Sequence, residues 1–201
     1  MVSNGEYSDN VFINCPFDDD YRVLFNVIVF TIHECGFKPR CAKEEDEEFR
    51  LMKIENLIEN CKYGIHDLSR TDPDKDTNLP RFNMPFELGL FVGCKRYGND
   101  KNKRYLVLDI DEHRYEQFIS DLKGVDIKGH NNQPQDTVRI IRDWLRGTSR
   151  RTTIPGANSI WSKYQLFTVD LPTICRDQNL DVDELTFAEY STLVYEWLKE
   201  N

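Results

Sequence analysis

Two carboxylates with apolar neighbours define the chemistry open to this chain of 201 residues. Asp67 ends the run "YGIHD" and Glu87 sits between Phe86 and Leu88 in "NMPFELGLFVG", residues 83–93. A carboxylate held at the edge of a sugar site can stabilise a ribosyl oxocarbenium ion or attack its anomeric carbon. Each residue also has a plainer use. An acid in the first turn of a helix partners the helix dipole and caps N–H groups, and an Asp at a strand end makes an Asx turn. His66 falls on the opposite side of its strand from Asp67 and reads as packing. Arg40 and Arg81 are either phosphate ligands or solvated cations; Arg40, at the end of a strand, is the better placed.

Position decides between these uses, and position depends on the surrounding elements. "NVFINCPF" (10–17) begins as a strand and breaks at Asn14 and Pro16. "DDD" (18–20) supplies helix-start carboxylates. Leu24, Val27, Ile28, Thr31 and Cys35 then recur on one helix face until Gly36 stops it. "FKPRCAK" is a weaker second strand. "EEDEEF" opens a helix with Leu51, Ile54, Ile58 and Cys61 on one face, and its acidic run (44–48) reads as a solvated helix start. "YGIHDLS" is the third strand. Pro85 fits the first turn of a third helix, which turns Leu88, Phe91 and Val92 inward and puts Glu87 near the positive end of the dipole, where it stays ionised. "RYLVLDI" (104–110) is the clearest strand, "EHRYEQFISDL" is helical, and "VDI" (125–127) is a short fifth strand. "QDTVRIIRDWLRG" is a helix ending at Gly147.

This alternation predicts a flavodoxin-like α/β domain over residues 11–147: five parallel strands with helices on both faces. Such sheets bind ligands beyond the carboxyl ends of their strands, where the strand order reverses. Asn14, Arg40, Asp67 and the start of the Glu87 helix all fall there. Residues 1–10 read as a loose polar N-terminus. Residues 148–201 read as a helical extension packed on the domain, with one helix on Ile160, Tyr164, Phe167 and Leu171 broken at Pro172. A last helix carries a capping box, Thr186 and Glu189, and a face of Tyr190, Leu193, Val194 and Trp197.

Composition narrows the field. Hydrophobic residues make up 39% and aromatic residues 12%, so a sizeable core can form. The net charge of −9 disfavours coating nucleic acid or an anionic membrane, while a local site can still oppose the global field. No apolar run reaches the ~18–20 residues of a membrane span, and the N-terminus has no signal-peptide pattern. Cysteines 15, 35, 41, 61, 94 and 175 are scattered without a C-x-x-C pair, which predicts a cytoplasmic protein with neither disulfides nor a structural metal. Rossmann, P-loop and zincin signatures are missing.

A strand ending in "DLS", a loop, then "FNMPFELGLFVG" resembles the D-x-S…N-x-x-x-E-L-G-x-A pattern of nucleoside 2-deoxyribosyltransferase-like and TIR-like proteins. "VFINCPFDDDY" resembles the first strand and loop of the same group, and the ordering with "KPRCA" as strand two is similar to bacterial TIR-like proteins of antiphage defence. The resemblance covers roughly residues 11–147. It implies cleavage of an N-glycosidic bond with Glu87 and Asp67 as catalytic carboxylates bracketing a ribose. Asn14, Cys15, Pro16, Phe17, Asn83 and Phe86 become substrate contacts, and Arg40 a phosphate partner. In the TIR-like branch NAD is the substrate, no other cofactor is needed, and the product is nicotinamide with ADP-ribose or a nucleotide signal read by an effector protein. In the transferase branch the substrate is a deoxynucleoside or nucleotide, whose deoxyribosyl group is transferred or whose bond is hydrolysed; a third class is a non-catalytic nucleotide-sensing or assembly module. The loop 70–82 is long, and Phe91 stands where the family has a small residue. The aromatic tail (Trp161, Tyr164, Phe167, Trp197) suggests a homo-oligomer, or else rings buried on the domain itself.

Overall fold

The computed structural model describes residues 4–44, 49–73, 78–98 and 101–201. The acidic run read at 44–48 lies outside the described residues except for Glu44. Five strands, β1 (Asn10–Asn14), β2 (Lys38–Cys41), β3 (Tyr63–Asp67), β4 (Arg104–Asp109) and β5 (Ile127–Gly129), form one all-parallel sheet in the order β2-β1-β3-β4-β5. This is the flavodoxin-like order, and its switch point lies between β1 and β3. β1 and β3 are buried along their whole length because helices cover both faces. Alternation sorts their side chains. Val11 and Ile13 face α2 (Arg22–Glu34) and α5 (Pro134–Ser149), whereas Phe12 faces α3 (Arg50–Glu59) and α4 (Asn83–Tyr97).

α4 packs so closely on β3 that Gly64 has no room for a side chain. A Cβ there would lie 2.7 Å from His66 Nε2 and 2.8 Å from Phe91 Cε2. This contact is also why Phe91, rather than a small residue, can stand after the Glu-Leu-Gly run: the space it needs is left by the glycine across from it.

α2 is buried beyond the predicted stripe, with Val29, Phe30 and Ile32 also inaccessible. A helix apolar all round needs cover on every side. That cover comes from α6 (Ala157–Asp177) and α7 (Phe187–Glu200), which share one core with the sheet. Tyr164, Phe167 and Trp197 are inside this core and Trp161 packs against it, so the rings that suggested a homo-oligomer are used within the chain. α6 runs straight through Pro172, correcting the predicted break. One hydrogen bond is lost at the proline, but Phe167, Leu171 and Cys175 bury one continuous face across it.

Five other readings need correction. The fifth strand, read at 125–127, lies at Ile127–Gly129 and shares only Ile127 with that stretch. Residues 4–9, read as loose chain, form the short helix α1 (Asn4–Asp9), held through Asp9 to Arg151, which also donates to Gly36 O and stacks on Phe37. The predicted helix at 112–122 is two 3-10 turns, Arg114–Gln117 and Ser120–Leu122. Its apolar stripe does reach the core, but the backbone leaves helical geometry at Phe118 and Ile119, with φ of −130° and −143°. Leu51 is exposed while Leu57 joins Ile54 and Ile58 inside. α5 continues past Gly147 to a left-handed Arg150. All six cysteines are free thiols. No described helix is long and apolar enough to cross a membrane.

Lys103 caps the far end of the structure. It is 2% exposed, and its ammonium donates to Ile58 O and Cys61 O at 2.6 Å and to Glu59 O at 3.4 Å, the last carbonyls of α3 and the residues just after it. Lys103→Met keeps the buried stem but strands these acceptors. A loss of about 3 kcal/mol is expected in denaturant unfolding, whereas replacement of an exposed lysine such as Lys101 should change little.

Candidate active site

A cleft of about 690 Å³ opens beyond the carboxyl ends of β1 and β2. Its walls are the loop after β1 (Asn14 to Asp18), Ala42 and Lys43 after β2, Arg50 and Lys53 of α3, Arg81, and Asn83, Met84 and Glu87 of α4. The structure therefore brings together Asn14, Cys15, Pro16, Phe17, Asn83 and Glu87 of the residues expected from sequence.

Glu87 is 6% exposed and is the fifth residue of α4, in the second turn rather than the first. It is not a dipole partner, and the expectation that the helix end keeps it ionised is overturned. Burial raises its pKa from 4.5 to about 7, against a smaller lowering by Arg50. A carboxyl with this pKa changes charge within the working pH range, as catalytic carboxyls do.

Asn14 sets the geometry around it. Its amide Nδ2 donates to Met84 O at 2.8 Å and to His66 Nδ1 at 3.0 Å, so the end of β1 is tied to the first turn of α4. Burial lowers the His66 pKa to about 3, so the ring is neutral and accepts at Nδ1. The ring also packs edge-on against Phe91 and Phe12. His66 is thus a packed histidine, as predicted, and it also orients Asn14. Cys15 is buried, and burial, with help from Asp67 and Cys41, pushes its pKa well above the ordinary thiol value. It offers a neutral thiol and no thiolate nucleophile.

Asp67 does not line this cleft. It is fully buried on the other face of the sheet, where its carboxylate accepts from Tyr21 Oη at 2.5 Å and from Ser69 N at 2.8 Å, with His130 Nε2 at 3.1 Å. His130 Nδ1 accepts from Asn132 N, which leaves the ring hydrogen on Nε2, facing the carboxylate. Burial alone would raise the Asp67 pKa; the groups of His130, Tyr21 and Ser69 outweigh it and hold the pKa below the ordinary value. Asp67 and Glu87 therefore do not bracket one sugar. The reason is alternation: His66 points to the α4 side, so Asp67 points away from it.

Arg40 also fails to reach the cleft. Its Nε donates to Glu44 at 2.7 Å, along a groove between β2 and α7. Phe86, 53% exposed, is not among the residues that line the cleft. In place of Arg40 stand Lys43, Arg50, Lys53 and Arg81, four cations against the carboxyls of Asp18 and Glu87. Arg81 was weighed from sequence and ranked below Arg40; the other three were missed. The one local signal was Arg50 and Lys53 at i and i+3, one face of a helix that starts at the ligand edge. Positive lining in a chain of net charge −9 marks a site for an anionic ligand.

Among the described residues, no group of three or more His, Cys, Asp or Glu side chains could hold a metal ion. No family model matches the chain, and no curated protein is significantly similar to it.

Proposed function

We propose that this chain cleaves the N-glycosidic bond of NAD, releasing nicotinamide and an ADP-ribose-derived product. The observation that carries the reading is Glu87: a buried carboxyl with a pKa of about 7 in a cleft whose lining also holds Lys43, Arg50, Lys53 and Arg81 against one other carboxylate, Asp18. The cations suit the pyrophosphate of a dinucleotide. Of the other substrate class, a deoxynucleoside brings no phosphate for them, and a deoxynucleoside monophosphate brings one where four cations converge. A purely assembling module has no use for a carboxyl whose burial opposes folding, whereas an active site does. The setting in antiphage defence, with an effector protein reached through a nucleotide signal, rests on the motif resemblance alone.

In the proposed reaction the C–N bond breaks and its electron pair goes to the pyridinium nitrogen, leaving neutral nicotinamide. Positive charge develops on the ribose ring, and the Glu87 carboxylate stabilises it. Water, or a hydroxyl of the same substrate, adds to the anomeric carbon and loses its proton to solvent. Cys15, a neutral thiol, takes no part in this chemistry.

The ionised form of Glu87 is the working one, which gives the sign of the pH dependence. kcat/KM for NAD is expected to rise about tenfold per pH unit below about 7 and to level off above it. Arg50 is the charge that lowers this pKa, so Arg50→Ala should move the limb to higher pH as well as weaken binding. A nicotinamide-release profile that falls with rising pH, or a limb that ignores Arg50, would contradict the assignment.

A further inference from the structure

A second, smaller cavity of about 190 Å³ adjoins the cleft. The two share Pro16, Phe17, Asp18 and Lys43. The far wall of the small cavity comes from the C-terminal extension, chiefly Phe187 and Tyr190 of α7 and the segment before it. That extension lies outside the stretch that carries the motif resemblance. The cavity's sides are aromatic. Phe17 meets Phe25 edge-on with centroids 5.5 Å apart, and Phe25 lies 5.9 Å from Phe187. Its polar lining residues include Asn26 and Asp183.

Charge reverses across the join. The small cavity has Asp18, Asp19 and Asp183 against Arg22 and Lys43. Arg22 pairs with Asp183 at 3.3 Å and with Asp19 at 3.5 Å, which leaves the small cavity one net negative charge against two net positive charges in the cleft. Lys43 sits at the boundary, its ammonium 4.7 Å from the centre of the Phe17 ring. A phosphate is therefore attracted to the cleft and repelled from the small cavity. What fits the small cavity is a neutral planar ring: Phe17, Phe25, Phe187 and Tyr190 line it, and Asn26 and Asp183 are of the types that accept from an exocyclic amino group. Its volume takes one ring system and no more, since whole-ligand pockets run to roughly 300–1,000 Å³.

We propose that this cavity is the subsite for an amino-bearing nucleobase of the nucleotide whose phosphates occupy the cleft, so that the C-terminal extension selects the base. The proposal rests on the nucleotide reading of the cleft but not on bond cleavage. Two probes separate the parts: adenosine 5′-monophosphate and ribose 5-phosphate share sugar and phosphate and differ in the base. In calorimetric titrations of the full chain, the adenosine compound is expected to bind at least about tenfold more tightly. Asn26→Leu, which removes the amide at nearly unchanged size, should bring it down towards the level of ribose 5-phosphate, whose own binding stays unchanged. Asp183→Ala should weaken it in the same direction, and a thermal melt shows whether each variant is folded. Equal affinities for the two probes in the parent chain would overturn the subsite. A preference that survives both substitutions would overturn its location. Binding of neither probe would overturn the nucleotide reading and the subsite with it. A preference lost in Asn26→Leu, in a chain that leaves NAD intact, would uphold the subsite and remove only the cleavage reading.

Discussion

Glu87→Gln is expected to fold more stably than the parent at pH 8 and to lose at least about 100-fold in NAD turnover. The two effects have one origin. The folded carboxyl keeps its proton up to about pH 7, whereas in the unfolded chain it releases it near 4.5. The unfolded state therefore binds fewer protons between these values, and stability falls as pH rises through them. The full cost, reached above pH 7, is about 3 kcal/mol. Glutamine cannot ionise, so the variant escapes this cost at pH 8 and gains nothing at pH 4. A later melt by roughly 6–12 °C at pH 8, shrinking to no difference at pH 4, is the expected pattern for a chain of this size. An earlier melt at pH 8 would mean that the carboxyl serves as an ordinary structural cap. Unchanged turnover would remove it from the chemistry.

Asp67→Ala is expected to do the opposite, destabilising the fold by about 3–5 kcal/mol. The substitution leaves Tyr21 Oη, Ser69 N and His130 Nε2 around a buried gap with no acceptor. These groups tie the end of β3 to the entry of α2 and to the chain after β5, so three crossovers loosen together. The pH dependence is again signed. The Asp67 pKa is lowered on folding, so its contribution is fully present above about 3.8 and is lost as pH falls through the lower folded value. The gap between parent and variant should therefore be wide at pH 7 and narrow in acid. In the folded fraction the KM for NAD should be unchanged, because Asp67 does not line the cleft. A folded variant with a raised KM would return Asp67 to the substrate site.

Much of the fold was legible because each strand and most helices carry their own pattern. β1 and β3 read as short apolar runs because both faces are covered, and the segments between them repeat at helical spacing. α2 also announced the C-terminal layer: Val29, Phe30 and Ile32 lie off its predicted stripe, and a helix apolar all round needs a third layer to cover it. The segment after β4 misled because Tyr115, Ile119 and Leu122 do form a helical stripe, while the backbone bends at Phe118 and Ile119.

The site was legible in part. The loop from Asn14 to Phe17 and the pair Asn83 and Glu87 belong to contiguous motifs at strand and helix ends; position placed Asn14 and Glu87, and the motif resemblance supplied Cys15, Pro16, Phe17 and Asn83. Asp67 was misassigned although the rule that settles it was at hand. Alternation separated it from His66, and His66 shares its face with α4. Arg40 was misplaced because its destination depends on Glu44, a partner that no periodicity reveals. Lys43, Arg50 with Lys53, and Arg81 come from three places in the chain, and beyond the shared face of Arg50 and Lys53 no local pattern shows that they converge. Only the sheet order, with β2 beside β1 and α3 beside α4, brings them to one cleft.

The most direct test of the central claim is mass spectrometry of nicotinamide released from NAD at pH 8 by the purified chain, with Glu87→Gln and a deoxynucleoside as parallel samples. The expected result is time-dependent nicotinamide from NAD with the parent, at least about 100-fold less with Glu87→Gln, and no free base from the deoxynucleoside. Free base from the deoxynucleoside with NAD intact, or equal nicotinamide from parent and variant, would contradict it.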